Sequence, residues 1–158
     1  MPISAIMLSI LALAPFIGCG LAALGPHGAT ADRMLTALIC WGALVLAFTG
    51  GIHWGLVLRE TKPPSASDWH PNARVGLAAL PPMLGWIALL LPLVAAAWLA
   101  LLLLIATYIA ALASEHRWMR AYALPARYLW LRWGFTVVAV AMLTTVMTLR
   151  LLGQTIVL

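Results

Sequence analysis

Residues 75–113 read VGLAALPPMLGWIALLLPLVAAAWLALLLLIATYIAALA, without one charged side chain. One helix over that stretch would be roughly 58 Å long at about 1.5 Å per residue, nearly twice the thickness of a hydrocarbon core. Pro92 lies near its middle and lacks the amide that a helix interior requires. The stretch therefore predicts two membrane spans folded into a tight hairpin, about 74–91 and 94–113.

Working outward, the same criterion finds spans at about 4–24, 35–58 and 128–152. The expected fold is all-α: one polytopic membrane domain, 1–158, with five transmembrane helices. Composition agrees. The 158 residues are 65% hydrophobic and 8% charged, with mean hydropathy +1.04, against about 25% charged in soluble domains. That excludes a water-soluble domain, a disordered chain and a nucleic-acid binder. The N-terminal apolar run is preceded by no positive segment and is long enough to span, so it reads as a helix and not as a signal peptide. Cys19 and Cys40 fall inside apolar runs and read as small packing residues, with no disulfide framework or zinc site.

Orientation follows from the basic residues. Arg59, Lys62, Arg74, Arg117, Arg120, Arg127 and Arg132 fall on one side of the five-span topology, Arg33 and Arg150 on the other. Cytoplasmic loops carry the excess of Lys and Arg, which predicts a cytoplasmic N-terminus and an outside C-terminus. Trp54, Trp69, Trp118, Trp130 and Trp133 are expected near the inner interface, and Trp41, Trp86 and Trp98 nearer the outer one. The 59–73 segment, with Pro63-Pro64-Ser65, and the 115–127 segment read as the long polar loops. Thr30 or Asp32 is the expected cap of the second helix.

The second span carries the most chemistry. Ala43, Ala47, Gly51 and Gly55 recur every four residues, a small-residue face that admits a neighbouring helix. Thr49 and His53 lie roughly opposite. A polar side chain in hydrocarbon costs several kcal/mol without a partner, so His53 is expected to face protein and the helix to be buried on two sides. Tyr128, Arg132 and Thr136, spaced by four, share a face of the fifth span near the same membrane surface. Thr49, His53, Trp54, Tyr128 and Arg132 are the candidate ligand-binding residues. An Arg and a His at an interface suit an anionic or carbonyl headgroup. Glu115 ends the fourth span at the same face and is expected to converge with His53, Tyr128 and Arg132 on a cytoplasm-facing pocket. Structural readings stand beside this: His53 as a helix–helix bond, Arg132 as a snorkelling anchor, and Glu115 beside Arg117 and Arg120 as a surface ion pair of little weight.

Pro15, Pro81 and Pro82 are expected to kink their helices; Pro81 and Pro82 release the carbonyls of Leu77 and Ala78. His53 is the only His in an expected span, which disfavours a bis-His haem, and the sequence requires no cofactor. No metalloprotease, nucleophile-elbow or phosphate-loop motif occurs. No catalytic or metal-ligating residue is assigned.

Pro15-Phe16, Gly50-Gly51-Ile52-His53-Trp54-Gly55, Leu80-Pro81-Pro82 with Trp86, and Leu124-Pro125-Ala126-Arg127-Tyr128-Leu129 with Arg132 resemble the domain-of-unknown-function family 3429, which includes the eukaryotic transmembrane protein 69 group. The resemblance spans nearly the whole chain and is most specific at the Gly-Gly-Ile-His-Trp-Gly segment. It implies a small five-helix protein of bacterial inner membranes with mitochondrial relatives, and brings no activity with it. The likeness to the tryptophan-rich sensory protein family is one of size alone.

Three functions are compatible with these residues. The first is a non-catalytic accessory or assembly subunit of a larger respiratory or photosynthetic membrane complex. The second is a binder or carrier of a quinone, lipid or pigment around His53 and Arg132. The third is a membrane enzyme using His53 as acid or base, which needs a second polar group within reach. Expected partners are membrane lipids and a membrane-protein partner or a second copy, with no nucleic acid.

Overall fold

The computed structural model describes residues 3–25, 28–58, 71–122 and 126–155. They form five helices: α1 (Ile3–Ala23), α2 (Ala29–Leu58), α3 (Pro71–Val94), α4 (Ala97–Tyr122) and α5 (Ala126–Thr155). Four of them contain a segment long and apolar enough to cross a membrane: 29–55, 76–94, 97–117 and 128–153; the apolar part described for α1 is the shorter 7–23.

The hairpin is present, but its break falls at Ala95-Ala96, three residues past Pro92. Pro92 stays inside α3, and the Ala95 amide still donates to the Leu91 carbonyl at 2.7 Å. A proline removes its own amide and crowds the carbonyl four residues back, so the helix closes one more turn before it ends. Pro15, Pro81 and Pro82 also lie inside continuous helices. α4 runs on to Tyr122, so Glu115 and His116 are helical and not in a loop. α2 begins at Ala29, where the Gly28 carbonyl accepts the Asp32 amide at 3.2 Å. Asp32 therefore lies within the first turn, and neither it nor Thr30 is the cap. Most of the 59–73 loop, with Lys62, Pro63, Pro64, Ser65 and Trp69, lies outside the described residues, as does Pro125.

Consecutive helices pack antiparallel, and α5 returns to α1, so the five close a ring in chain order; α2 also touches α4 across it. The ring is filled by Phe16, Leu38, Leu46, Leu104, Tyr108, Phe135, Leu143 and Val146. Phe16 meets Tyr108 and Phe135 edge-on, with ring centroids 6.1 and 5.9 Å apart, the arrangement that ring quadrupoles favour. Lipid is as apolar as leucine, so helix association in a membrane depends on close packing and on polar contacts between helices.

Close packing uses small residues. A Cβ on Gly50 would stand 2.7 Å from the Ala78 carbonyl oxygen and 2.8 Å from Pro82 Cδ; one on Gly85 would stand 3.2 Å from Ala43 Cα. The α2–α3 seam thus uses Ala43 and Gly50. Of the expected stripe, Ala43 is buried, whereas Ala47, Gly51 and Gly55 are exposed, and a Cβ on either glycine meets nothing within 4 Å. The close approach comes about one residue round the helix from the expected face. The reason is on α3: the Ala78 carbonyl, without its amide donor because of Pro82, sits against Gly50.

Polar contacts tie both ends. At one, Arg150 Nε donates to the Ala23 carbonyl at 3.1 Å and Nη1 meets Asp32 Oδ1 at 2.7 Å. This latch joins the end of α1, the start of α2 and the end of α5, with the cation on helix-terminal carbonyls as the helix dipole favours. Within the bundle, Trp41 Nε1 donates to the Ala12 carbonyl at 3.0 Å. Trp41 is therefore tied to α1 instead of standing free in an interfacial belt, while Trp54, Trp86, Trp98, Trp130 and Trp133 are exposed. Cys19 and Cys40 are free thiols.

Candidate functional site

The opposite end holds four polar side chains from three helices. On α2, Thr49 and His53 are one turn apart and face inward. On α4, buried positions recur at Leu101, Leu104, Tyr108, Ala111 and Leu112, and the same period carries Glu115 to the interior, where it is 3% exposed. On α5, Arg132 stands one turn before buried Thr136.

Glu115 is the hub. Arg132 Nε donates to both its oxygens, at 3.1 and 2.9 Å, and His53 Nε2 stands 3.3 Å from Oε1. Arg132 Nη2 donates to Thr49 Oγ1 at 2.7 Å, and Thr49 passes its own proton to the Val45 carbonyl at 2.9 Å. A proton on His53 Nε2 serves the carboxylate, an acceptor with lone pairs to spare. Buried carboxylate and guanidinium are tolerable here because each has its charge met by the other, with Thr49 and His53 adding polar contacts. Deeper in, Tyr108 donates to the Gly42 carbonyl at 2.9 Å.

Three of the five residues expected at the site converge: Thr49, His53 and Arg132. His53 points into the bundle, as its cost in lipid requires. Tyr128 is half-buried one turn before Arg132, within electrostatic range of it and of Glu115. Trp54 faces outward, 48% exposed, and takes no part; residues 53 and 54 are about 100° apart on a helix. Of the two readings of Glu115, convergence with His53 and Arg132 is the one observed; the surface pairing with Arg117 and Arg120 is corrected, because positions two and five apart do not face each other, whereas the period from Leu101 does reach Glu115. That period was the available signal.

Residues 1–148 match the profile of a family described as Protein of unknown function (DUF3429). The chain belongs to that family. It is also similar to Transmembrane protein 69 of Xenopus tropicalis, 31% identical over 89 residues, which is 56% of this chain and 33% of that protein. The chain thus aligns with about a third of that relative's length. No solved structure matches. With its apolar helices, this DUF3429 member is a multi-pass helical membrane protein. The cluster lies within the matched residues.

Proposed function

We propose that this DUF3429 protein is a non-catalytic accessory subunit of a larger assembly in a bacterial inner membrane, with its N-terminus and the Glu115 cluster toward the cytoplasm. The supporting observation is the exposed α2 face of Ala47, Gly51 and Gly55, with open space where side chains would project. Glycine in a helix interior costs about 1 kcal/mol relative to alanine, and lipid needs no glycine. A second transmembrane helix does, because only small residues let backbones approach closely. Among the described residues, no other helix of the ring covers this face. The polar cluster suits the same role. It joins α2, α4 and α5, holding the docking helix in place, and Glu115 is already occupied by Arg132 and His53. The lateral bias of Arg and Lys supports this orientation, and the Arg-, Ala- and Leu-rich composition supports the bacterial membrane.

The test is purification of the full chain in mild detergent beside the Gly51→Leu/Gly55→Leu variant. The wild-type chain should co-purify with a stoichiometric membrane-protein partner that the variant loses while its thermal unfolding is unchanged. A wild-type chain that is monodisperse and alone, or a variant that keeps the partner, overturns the reading.

A further inference from the structure

Threonine in an apolar helix has a ready partner, the carbonyl one turn back. Thr36, Thr49, Thr107, Thr145 and Thr148 each use it, at 3.0, 2.9, 2.7, 2.8 and 2.9 Å. Thr136 does not. Its hydroxyl is buried, with the residue 3% exposed, and has no hydrogen-bond partner among the described residues. A hydroxyl turned from its own carbonyl into an apolar interior carries a desolvation cost that a partner would relieve.

One turn away on the same face is Arg132. Its Nε serves Glu115 and its Nη2 serves Thr49, while Nη1 has no hydrogen bond among the described residues. Arg132 has no lone pair to offer, so Nη1 can only donate. Thr136 and Arg132, each with an unused donor among the described residues, thus share one face on the inner side of α5. We propose that this corner binds a neutral carbonyl group carried on a lipophilic body, with the carbonyl oxygen accepting from the Thr136 hydroxyl beside Arg132 Nη1. A neutral group is favoured over an anion because Glu115 already balances the Arg132 charge at 2.9 Å. A second negative charge would face that carboxylate without a cation of its own.

Two molecules of a bilayer offer this chemistry, a quinone and the acyl ester of a diacyl lipid. The full chain is reconstituted into nanodiscs of a diether lipid, which has no ester carbonyl. A decyl-substituted benzoquinone is added in one arm and a short-chain diester phosphatidylglycerol in the other. Native mass spectrometry reads the retained adducts. One arm should give a one-to-one adduct and so name the source. Thr136→Val keeps the shape and removes the hydroxyl, and should weaken the adduct by about tenfold, the scale of one lost hydrogen bond. Thr136→Ser should restore it and so separates chemistry from misfolding. No adduct in either arm, or an adduct that Thr136→Val leaves undiminished, overturns the proposal; the hydroxyl is then satisfied by an ordered water alone.

Discussion

Gly50 lies against the carbonyl oxygen of Ala78, where Pro82 has taken away that carbonyl's helical donor. The distance of 2.7 Å from the oxygen to a Cβ built on Gly50 leaves room for hydrogen only. The Gly50 Cα hydrogen thereby meets an oxygen left without an amide, a weak but repeatable contact between helices. A residue that costs α2 helix propensity and one that costs α3 a hydrogen bond offset each other at their meeting point.

Gly50→Ala should therefore separate α2 from α3. The obstructing atoms are backbone and a proline ring, neither of which can swing aside, and the expected loss is about 1–3 kcal/mol. Gly51→Ala, one residue on and facing open space, should be neutral or stabilising by up to about 1 kcal/mol. Thermal unfolding of both variants in one detergent checks the contrast; equal losses would mean that the seam does not run through Gly50.

Removing Glu115 leaves Arg132 part-buried without its counter-charge, and removing Arg132 leaves the buried Glu115 only the His53 ring. Glu115→Leu or Arg132→Met should each cost about 3–5 kcal/mol, and the double variant less than either. A double-mutant cycle on reversible unfolding measures the coupling. Strict additivity would show that the two side chains do not share a bond.

Tyr108→Phe removes one hydrogen bond to the Gly42 carbonyl and leaves the ring against Phe16. About 0.5–1.5 kcal/mol should be lost. Tyr108→Ala also empties the centre of the ring and should cost about 3–5 kcal/mol. The ratio of the two losses, read from unfolding midpoints, separates the hydrogen bond from the packing.

At the other end, Asp32 is 70% exposed, so Asp32→Asn should cost no more than about 1 kcal/mol, and added salt should erase the difference. Arg150→Gln should cost more, because it also gives up the Ala23 carbonyl. Unfolding at low and high ionic strength distinguishes them; a loss for Asp32→Asn that salt leaves untouched would place the carboxylate in a drier setting than the latch provides.

The helical class was legible without coordinates. An apolar run too long for one span, with a proline in it, has few solutions, because lipid obliges each segment to satisfy its own backbone hydrogen bonds. The inward direction of His53 was legible for a related reason: imidazole in hydrocarbon is costly. Helix ends were less so. Glu115, Arg117 and Arg120 look like the polar residues of a loop, yet α4 continues through them to Tyr122, since charge alone does not end a helix.

Sequence alone decided that this chain crosses a membrane as a set of helices and that Thr49, His53 and Arg132 gather near one end, because length, hydropathy and helical period are local properties. Only the tertiary structure decided that Glu115 bonds Arg132 and His53 instead of pairing on the surface, that Gly50 and not Gly51 faces α3, and that Thr136 turns from its own backbone. Those outcomes depend on the rotation of each helix about its axis, and rotation is set by atoms on other helices: a carbonyl released by Pro82, a guanidinium that needs a carboxylate, and the shape of the space between them.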